Sequence, residues 1–342
     1  MKKGEIVDFE ITDLVFGGRG LAHVKHDPSA SSEQETLNQK FVVFVDGALP
    51  GQKVKARITK KKKRFAEAKA LEVLKKSKIE VENDYQSVPG APWATLPIEV
   101  QGDYKKKQVF DLFVKFANLK LDKVFDEFVE SPEIWNYRNK MEFSFGYSDE
   151  DFELNAEGKK IWRHFGFALG SKKRGQYWLV ENLEKASGIF DEEFENFLSE
   201  IRKFCESTGF KPWNPKTNKG FFRQLGVRKS FLQNKFLINL MTSSSEQDNF
   251  VIDNFVKLLT DKFGDRIGGI LWTITDSISD GGGMIGSRDL FFGKDVLVEK
   301  INGLEFEVSM DSFFQTNVFS AEKLYEKAAE YIFSGVAGDL NV

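Results

Sequence analysis

The sequence is poor in the residues that form disulfides and metal sites. Its 342 residues include one cysteine, Cys205, and three histidines, His23, His26 and His164. A single thiol excludes an internal disulfide and an all-cysteine metal cage. The histidines are too scattered along the chain to suggest a zinc site. We therefore expect no metal site.

Long apolar runs are also absent. No run approaches the roughly 20 apolar residues that a membrane-spanning helix needs. Residues 1–5 lead into alternating, strand-like sequence and not into the apolar region of a signal peptide. The composition, 41% hydrophobic and 30% charged, is typical of a soluble globular protein, and the length allows two or three domains. We expect a cytoplasmic monomer without a membrane partner.

Positive charge does not exceed negative charge over the whole sequence, but it is locally concentrated. The formal net charge is −3, which argues weakly against a nucleic-acid partner. Residues 53–64, however, carry eight lysines and arginines and no acid, and the distribution of charge matters more than its sum. One interpretation is a solvated hairpin tip. The favoured one is a phosphate-binding run formed by Lys60, Lys61, Lys62, Lys63 and Arg64.

The periodicity of apolar residues predicts four segments. Residues 1–77 contain runs that alternate with period two and form a small basic β-barrel. Residues 78–130 form a connector and a helix that reaches about residue 119. Residues 131–300 form an α+β domain, and residues 301–342 begin a third unit with a strand and a helix. That helix is capped near Asn317 or Ser320. Most of the 34 phenylalanines should be core residues.

The N-terminal segment carries a known pattern. It contains Gly-x-Gly-Leu-Ala at residues 18–22 and Asp-Gly-Ala-Leu-Pro-Gly at residues 46–51. These residues resemble the TRAM domain, an all-β, OB-like barrel that binds RNA. The resemblance covers nearly all of residues 4–76 and implies an RNA partner.

Three further motifs resemble the RNA uracil-5-methyltransferases. They are Leu-Pro-x-Glu-x-Gln at residues 96–101, Tyr-Arg-Asn-Lys at residues 137–140 and Ser-Phe-Phe-Gln-Thr-Asn at residues 312–317. The resemblance implies that S-adenosylmethionine is the cofactor. It also implies that residues 301–342 are the incomplete start of a class I, Rossmann-like methyltransferase domain.

The resemblance assigns roles to four residues. Gln315 matches the glutamine that hydrogen-bonds the cofactor, and Phe313 matches the aromatic residue that meets an extruded RNA base. The alternative is that Phe313 and Phe314 are core residues that precede a helix cap. Arg138 and Lys140 would contact RNA phosphate or position the target uridine, or they would simply be charged residues at the start of a strand.

The reaction of this family requires catalytic residues that have no match in this sequence. A cysteine thiolate attacks C6 of uracil, C5 takes the methyl group, and a carboxylate removes the C5 proton. The family nucleophile follows an Asp-Pro-Pro-Arg segment that is absent here, and Cys205 lies in a predicted amphipathic helix. We therefore assign no catalytic residue. Many members also carry iron–sulfur cysteines near the Leu-Pro-x-Glu-x-Gln motif, and their absence predicts no cluster.

The expected function is RNA uracil-5 methylation of a uridine in rRNA or tRNA through a covalent cysteine–uracil adduct. This chain lacks the catalytic C-terminal part and should be inactive alone. A non-catalytic RNA-binding module is the alternative. We favour rRNA over tRNA as the partner, and the sequence does not indicate which uridine is modified.

The C-terminal residues generate a separate hypothesis. Asp339-Leu340 matches the strand that precedes the family's Gly-rich cofactor turn, and the turn itself is absent. We expect an artificial end: a fragment, a frameshift, or a stop codon that the source organism reads as an amino acid such as glycine. The apolar face of the last helix, with Leu324, Tyr325 and Ile332, should then be exposed. A native mass of 39.1 kDa with no downstream coding continuation would favour the binding module.

Overall fold

The computed structural model describes residues 1–24, 41–154, 160–173, 178–245, 247–278 and 286–334, with the backbone alone for 149–154 and 160–164. The chain divides into two compact units. The first comprises residues 1–84 and 90–128, and the second comprises residues 85–89 and those from 129 onward. The predicted segment 78–130 is thus shared between the units, and the described part of segment 301–342 lies in the second. Asp339 and Leu340 fall outside the described residues.

The first unit begins with a six-stranded sheet. Its strands are β1 Ile6–Glu10, β2 Asp13–Val15, β3 Arg19–Val24, β4 Phe41–Asp46, β5 Lys53–Lys61 and β6 Phe65–Lys75. Their order is β1-β5-β6-β4-β3-β2, and each neighbouring pair is antiparallel except β4 and β6. Strand β1 also contacts β3, so the sheet curves around its apolar core.

The alternation of β5 explains how this core forms. Val54, Ala56 and Ile58 are buried, whereas Lys53 and Arg57 on the opposite face are exposed. Each fully buried aliphatic side chain of valine or isoleucine size contributes about 1.5–3 kcal/mol. The predicted period-two alternation is confirmed for this strand.

The Gly-x-Gly-Leu-Ala turn brings two backbone segments into close contact. A Cβ atom at Gly20 would lie 2.8 Å from the carbonyl oxygen of Ala48 and 2.8 Å from a methyl carbon of Ile11. No real Cβ tolerates both distances, so the position requires glycine. The turn containing Ala48 is thereby packed directly against β3.

Helix α1 spans Ile98–Ala117 and belongs to the first unit. It ends where Asn118 adopts a left-handed conformation with φ of 52°, which matches the predicted end near residue 119. Tyr104 packs on the apolar cluster of Leu14, Leu49 and Leu96. Farther along, Phe116 is 76% exposed, so the apolar stripe of α1 is covered only in part.

The second unit is built on a seven-stranded sheet of order β13-β12-β11-β10-β7-β8-β9. Its strands are β7 Lys140–Leu154, β8 Lys160–Lys172, β9 Val180–Asn182, β10 Phe222–Ser230, β11 Lys235–Thr242, β12 Ile267–Ile274 and β13 Ser287–Gly293. Only β11 and β12 run parallel. The pairing of β10 with β11 confirms the predicted strand pair. Helices α2 Glu192–Ser207 and α3 Ile252–Phe263 pack against the sheet.

Phenylalanine rings fill the space between this sheet and its helices. Phe194 of α2 lies 5.1 Å from Phe236 of β11 and 5.3 Å from Phe263 of α3, measured between ring centroids. Such aromatic pairs contribute about 0.5–1.5 kcal/mol beyond the area they bury. The fully buried rings include Phe143, Phe190, Phe194, Phe222, Phe236 and Phe255. Among the described residues twelve of the 34 phenylalanines are buried, so the prediction that most of them are core residues is wrong.

A two-stranded ribbon, β14 Val296–Ile301 and β15 Leu304–Ser309, is attached to this sheet and leads to α4 Val318–Ser334. The buried carboxylate of Glu299 accepts hydrogen bonds from the backbone N–H groups of Phe231 and Leu232 at 2.7 and 3.1 Å. Leu297 packs in the sheet core. Leu324, Tyr325 and Ile332 of α4 are exposed, as expected for its apolar face. Among the described residues, no helix has the length and apolar character required to cross a bilayer.

A buried carboxylate joins α2 to the sheet. Asp191 caps α2 by accepting from the N–H of Phe194 at 3.1 Å, and its other oxygen binds Lys229 at 2.8 Å and Arg266 at 2.6 Å. Burial alone would raise the pKa of this carboxyl, but the hydrogen bonds from the two cations outweigh burial and lower it. The group therefore stabilises the fold in its charged form.

We predict that Asp191→Asn lowers the free energy of unfolding by about 3 kcal/mol at neutral pH, because it keeps the helix cap and leaves two cations without their carboxylate. The native pKa is depressed, so the difference from the wild type should be complete above the unfolded-state pKa of about 3.9 and should shrink as the pH falls below it. Denaturant titrations across that range measure the effect.

The control is Asp261→Asn, which removes an exposed ion pair with Lys257 within α3. This variant should lower the free energy of unfolding by no more than about 0.5 kcal/mol. Equal losses in the two variants would contradict the structural role of Asp191.

Candidate functional site

Residues 310–317, here called the motif segment, connect β15 to α4 in the second unit. The side chain of Asn317 caps α4 by accepting from the backbone N–H of Ser320 at 2.9 Å. Its amide nitrogen donates to Ser131 Oγ at 3.0 Å, and Ser131 also bonds the hydroxyl of Ser320 at 2.9 Å. The predicted helix cap is therefore Asn317, and a second segment of chain holds it in place.

Asn139 holds the C-terminal half of the motif segment. It is 1% exposed, and its backbone N–H donates to the carbonyl of Thr316 at 2.9 Å. Its side-chain amide donates to the carbonyl of Gln315 at 2.8 Å. Its own carbonyl accepts from the N–H of Lys229 in β10 at 2.8 Å. One buried residue thus fixes two consecutive carbonyls of the motif segment to the central sheet.

Arg228 holds the N-terminal half. The side chain is 2% exposed, and one guanidinium nitrogen donates to the carbonyls of Met310 at 3.2 Å and Ser312 at 2.6 Å. Burial lowers its pKa, and the charges of Asp311 and Glu142 oppose that shift. Arginine stays protonated in proteins, so the group acts as a fixed donor.

The start of the segment is fixed by a chain of polar contacts. Asp311 pairs with Arg288 of β13 at 2.5 Å. Arg288 also donates to the hydroxyl of Thr273 at 2.8 Å, and that hydroxyl bonds Asn239 at 2.8 Å. These polar contacts link the motif segment to β13, β12 and β11 in turn.

The two phenylalanines of the motif face different surroundings. Phe314 packs against Phe306 of β15 with ring centroids 5.9 Å apart. Phe313 is 86% exposed. The alternative of two core phenylalanines therefore does not fit Phe313, and Phe314 is only half-buried. Gln315 is half-buried, and its side-chain amide makes no hydrogen bond to any described residue.

Arg138 and Lys140 lie beside the motif segment with different surroundings. The backbone of Arg138 forms a β-bridge with Asn317, and its side chain donates to the carbonyl of Lys140 at 3.2 Å. The ammonium of Lys140 pairs with Glu142 at 2.9 Å. Both side chains are half-buried. Their contact with RNA stays a prediction.

The basic run lies in the first unit, at the tip between β5 and β6. Lys60, Lys61, Lys62, Lys63 and Arg64 are all exposed. The turn is closed by a hydrogen bond from the N–H of Lys62 to the carbonyl of Phe65 at 2.8 Å. Lys60 also pairs with Glu67 at 3.4 Å, and such an exposed pair contributes little. The tip therefore presents a dense, solvated positive charge.

An aromatic group beside this tip was not predicted. The guanidinium of Arg19 lies 4.9 Å from the ring centroid of Phe44, and Phe44 contacts Phe65 at 5.7 Å. The sequence could have indicated this position through strand alternation. Val43 and Val45 point inward, so Phe44 between them lies on the outer face. Arginine and aromatic side chains together are typical of sites that bind single-stranded nucleic acid.

Cys205 is completely buried in α2, and burial raises the pKa of its thiol well above the ordinary value. The thiolate is the nucleophilic form, so this cysteine is chemically inert. No cluster of three metal-ligating side chains occurs among the described residues.

Comparison with known proteins identifies the family. Residues 1–71 match the TRAM domain family. The chain is 32% identical over 345 residues to an uncharacterized RNA methyltransferase of Caldanaerobacter subterraneus subsp. tengcongensis, covering all of this chain and 68% of that protein. It is 30% identical to an uncharacterized RNA methyltransferase of Clostridium tetani, covering 97% of this chain and 66% of that protein. The chain belongs to this family of RNA methyltransferases.

A solved structure shares the fold. The Pyrococcus abyssi tRNA (uracil-54, C5)-methyltransferase in complex with S-adenosyl-L-homocysteine matches with a TM-score of 0.61 and 19% identity. The match covers 94% of this chain and 64% of that one. This chain thus spans about two thirds of the length of the relatives it matches.

We predict that Asn139→Ala destabilises the second unit by about 1 kcal/mol, because the half-buried backbone carbonyl of Gln315 loses its donor. Amide hydrogen exchange should accelerate in residues 315–320 more than in the sheet. Gln224→Ala, which removes a hydrogen bond to Glu142, is the control and should leave exchange in those residues unchanged. Uniform acceleration across the unit would contradict a local role for Asn139.

Proposed function

We propose that the chain binds RNA and presents a uridine for S-adenosylmethionine-dependent methylation at C5. The observation that carries the proposal is the motif segment, whose backbone is fixed by Asn139 and Arg228 while Phe313 remains exposed. A preorganised backbone with an unengaged aromatic side chain is suited to receiving a ligand without further ordering. The family membership and the uracil-modifying enzyme of shared fold support this specificity.

Two side chains of the motif segment would share the recognition. Phe313 would stack on an extruded base, an interaction that contributes about 1–3 kcal/mol. Gln315 would hydrogen-bond the cofactor, which fits its unpartnered amide and its carbonyl held by Asn139. S-adenosylmethionine supplies an electrophilic methyl group when bound. The role of Gln315 is to orient it.

The remaining recognition would be electrostatic. The basic tip of the first unit follows the RNA backbone, and Arg138 and Lys140 contact phosphates near the motif segment. We favour rRNA over tRNA as the substrate, a monomeric protein and a cytoplasmic location.

Catalysis would follow the covalent route, with a cysteine thiolate adding to uracil C6 and a carboxylate acting as base. Cys205 does not serve as that nucleophile, since its thiol is buried and its pKa is raised. We propose that these 342 residues are inactive alone and hold no iron–sulfur cluster, which typically needs four thiolates. The buried thiol also favours the alternative of a non-catalytic RNA-binding module. An assay of methyl transfer by the protein isolated from its native source distinguishes the methyltransferase from the binding module, because only the methyltransferase should methylate RNA.

We predict that changing the four lysines of the basic tip to alanine weakens RNA binding. A plot of the logarithm of the binding constant against the logarithm of the salt concentration should become less steep. Its slope should fall in magnitude by about 0.7–0.9 for each lysine that neutralises a phosphate. The measurement is RNA affinity at several salt concentrations. The substituted residues are Lys60, Lys61, Lys62 and Lys63.

A charge-matched variant controls for the loss of four positive charges. It changes four exposed lysines elsewhere in the chain, namely Lys76, Lys203, Lys257 and Lys323. This control should retain most of the affinity and the salt slope. The same loss in both variants would contradict a dedicated role for the tip.

We predict that the purified 342-residue chain transfers no methyl group to rRNA or tRNA and binds S-adenosylmethionine weakly or not at all. Small ligands need a concave site that buries most of their surface, and Gln315 alone does not supply one. Calorimetry and radiolabelled methyl transfer measure both properties. Methylated uridine in the product RNA would contradict the prediction.

A further inference from the structure

The second unit contains a cavity of about 520 Å³ that no role described so far includes. Its size lies within the range of ordinary ligand pockets. It is formed by strands and loops outside the motif segment. The lining residues are Tyr147, Phe165, Trp178, Asn214 and Lys216.

Three aromatic side chains form the apolar walls. Tyr147 of β7 and Phe165 of β8 come from one antiparallel hairpin, in which Tyr147 pairs with Phe167. Trp178 precedes Leu179, whose backbone bridges to Tyr147. The rings of Phe165 and Trp178 meet edge to face, with centroids 5.7 Å apart and planes at 72°. Their relative positions are therefore set by the pairing of β7 with its neighbours.

A tight turn supplies the polar wall. The carbonyl of Asn214 accepts from the N–H groups of Thr217 and Asn218 at 3.2 and 2.8 Å. Its side-chain oxygen accepts from the N–H of Lys216 at 2.9 Å. This turn directs the Lys216 ammonium to 3.4 Å from the ring centroid of Trp178. The cation thus lines the cavity beside an aromatic ring.

The charge around the turn favours an anionic partner. Residues 207–219 contain three lysines and no aspartate or glutamate. These lysines, Lys211, Lys216 and Lys219, are exposed on the turn and the chain beside it. An apolar peptide partner would need the aromatic walls and not this surplus of positive charge.

We propose that the cavity binds one unpaired base of a single-stranded RNA segment, with the lysines of the turn contacting the adjoining phosphates. Aromatic faces stack on any base, and a neighbouring cation neutralises the backbone. The inference rests on the proposed RNA-binding function and adds a second base contact, separate from Phe313. It makes the hairpin of β7 and β8 a part of substrate recognition.

A double-mutant cycle between protein and RNA tests the site. The full chain is titrated with an unstructured single-stranded RNA and with the same strand carrying one abasic nucleotide at successive positions. Trp178→Ala should weaken binding of the intact strand about tenfold, whereas Trp178→Phe keeps the ring and should remain close to the wild type. One abasic position should weaken wild-type binding by a similar factor and have little effect on Trp178→Ala.

Tyr331→Ala provides the matched control. Tyr331 is an exposed aromatic residue of α4 with the ammonium of Lys327 at 5.3 Å from its ring centroid, and it lies outside the cavity. It should bind RNA like the wild type. Lys216→Met should lower the salt slope by about 0.7, and it keeps the test decisive if Trp178→Ala fails to fold.

The outcomes separate this inference from the proposed function. A chain that binds no RNA contradicts both. Normal RNA binding by Trp178→Ala, with abasic penalties equal to those of the wild type, overturns only the base-binding cavity and leaves an apolar peptide as its occupant. An unchanged salt slope in Lys216→Met, together with no abasic penalty in the wild type, overturns it as well.

Discussion

The hydrogen bonds from two buried side chains, Asn139 and Arg228, to the backbone of the motif segment are the constraint on which the site depends. An unpaired buried carbonyl costs about 1–3 kcal/mol, so these donors select one path for the chain between β15 and α4. On that path Phe314 is half-buried against Phe306, and Phe313 is exposed. The exposure of the Phe313 ring thus follows from the hydrogen bonds that Asn139 and Arg228 donate to the backbone carbonyls of the motif segment.

The donors are effective because they belong to a rigid element. Asn139 immediately precedes β7, and Arg228 lies in β10, which pairs directly with β7. Buried phenylalanines fix that sheet from one side, and Glu299 fixes the ribbon that delivers the motif segment. Side chains on packed strands hold their geometry better than side chains on loops, so the geometry that we propose for recognition is set before a ligand binds.

The sequence predicted the parts that depend on local pattern. Period-two alternation located β5, and the residues before the last helix placed its cap near Asn317 or Ser320, of which the structure selects Asn317. It did not predict which residue of the Tyr-Arg-Asn-Lys motif touches the motif segment through its side chain. Arg138 and Lys140 drew attention by their charge, yet the buried Asn139 makes that contact across 176 positions of sequence. Nor could alternation reveal the cavity, because Trp178 and Lys216 meet only through the tertiary fold.

The central claim is that the motif segment presents Phe313 to an RNA base, and photo-crosslinking tests it most directly. RNA containing thiouridine is irradiated with the chain, and the modified residues are located by mass spectrometry. The account predicts a crosslink at Phe313 or an adjacent residue of the motif segment, and its loss in Phe313→Ala while crosslinks elsewhere persist. Crosslinks confined to the first unit, with none in residues 310–317, would contradict it.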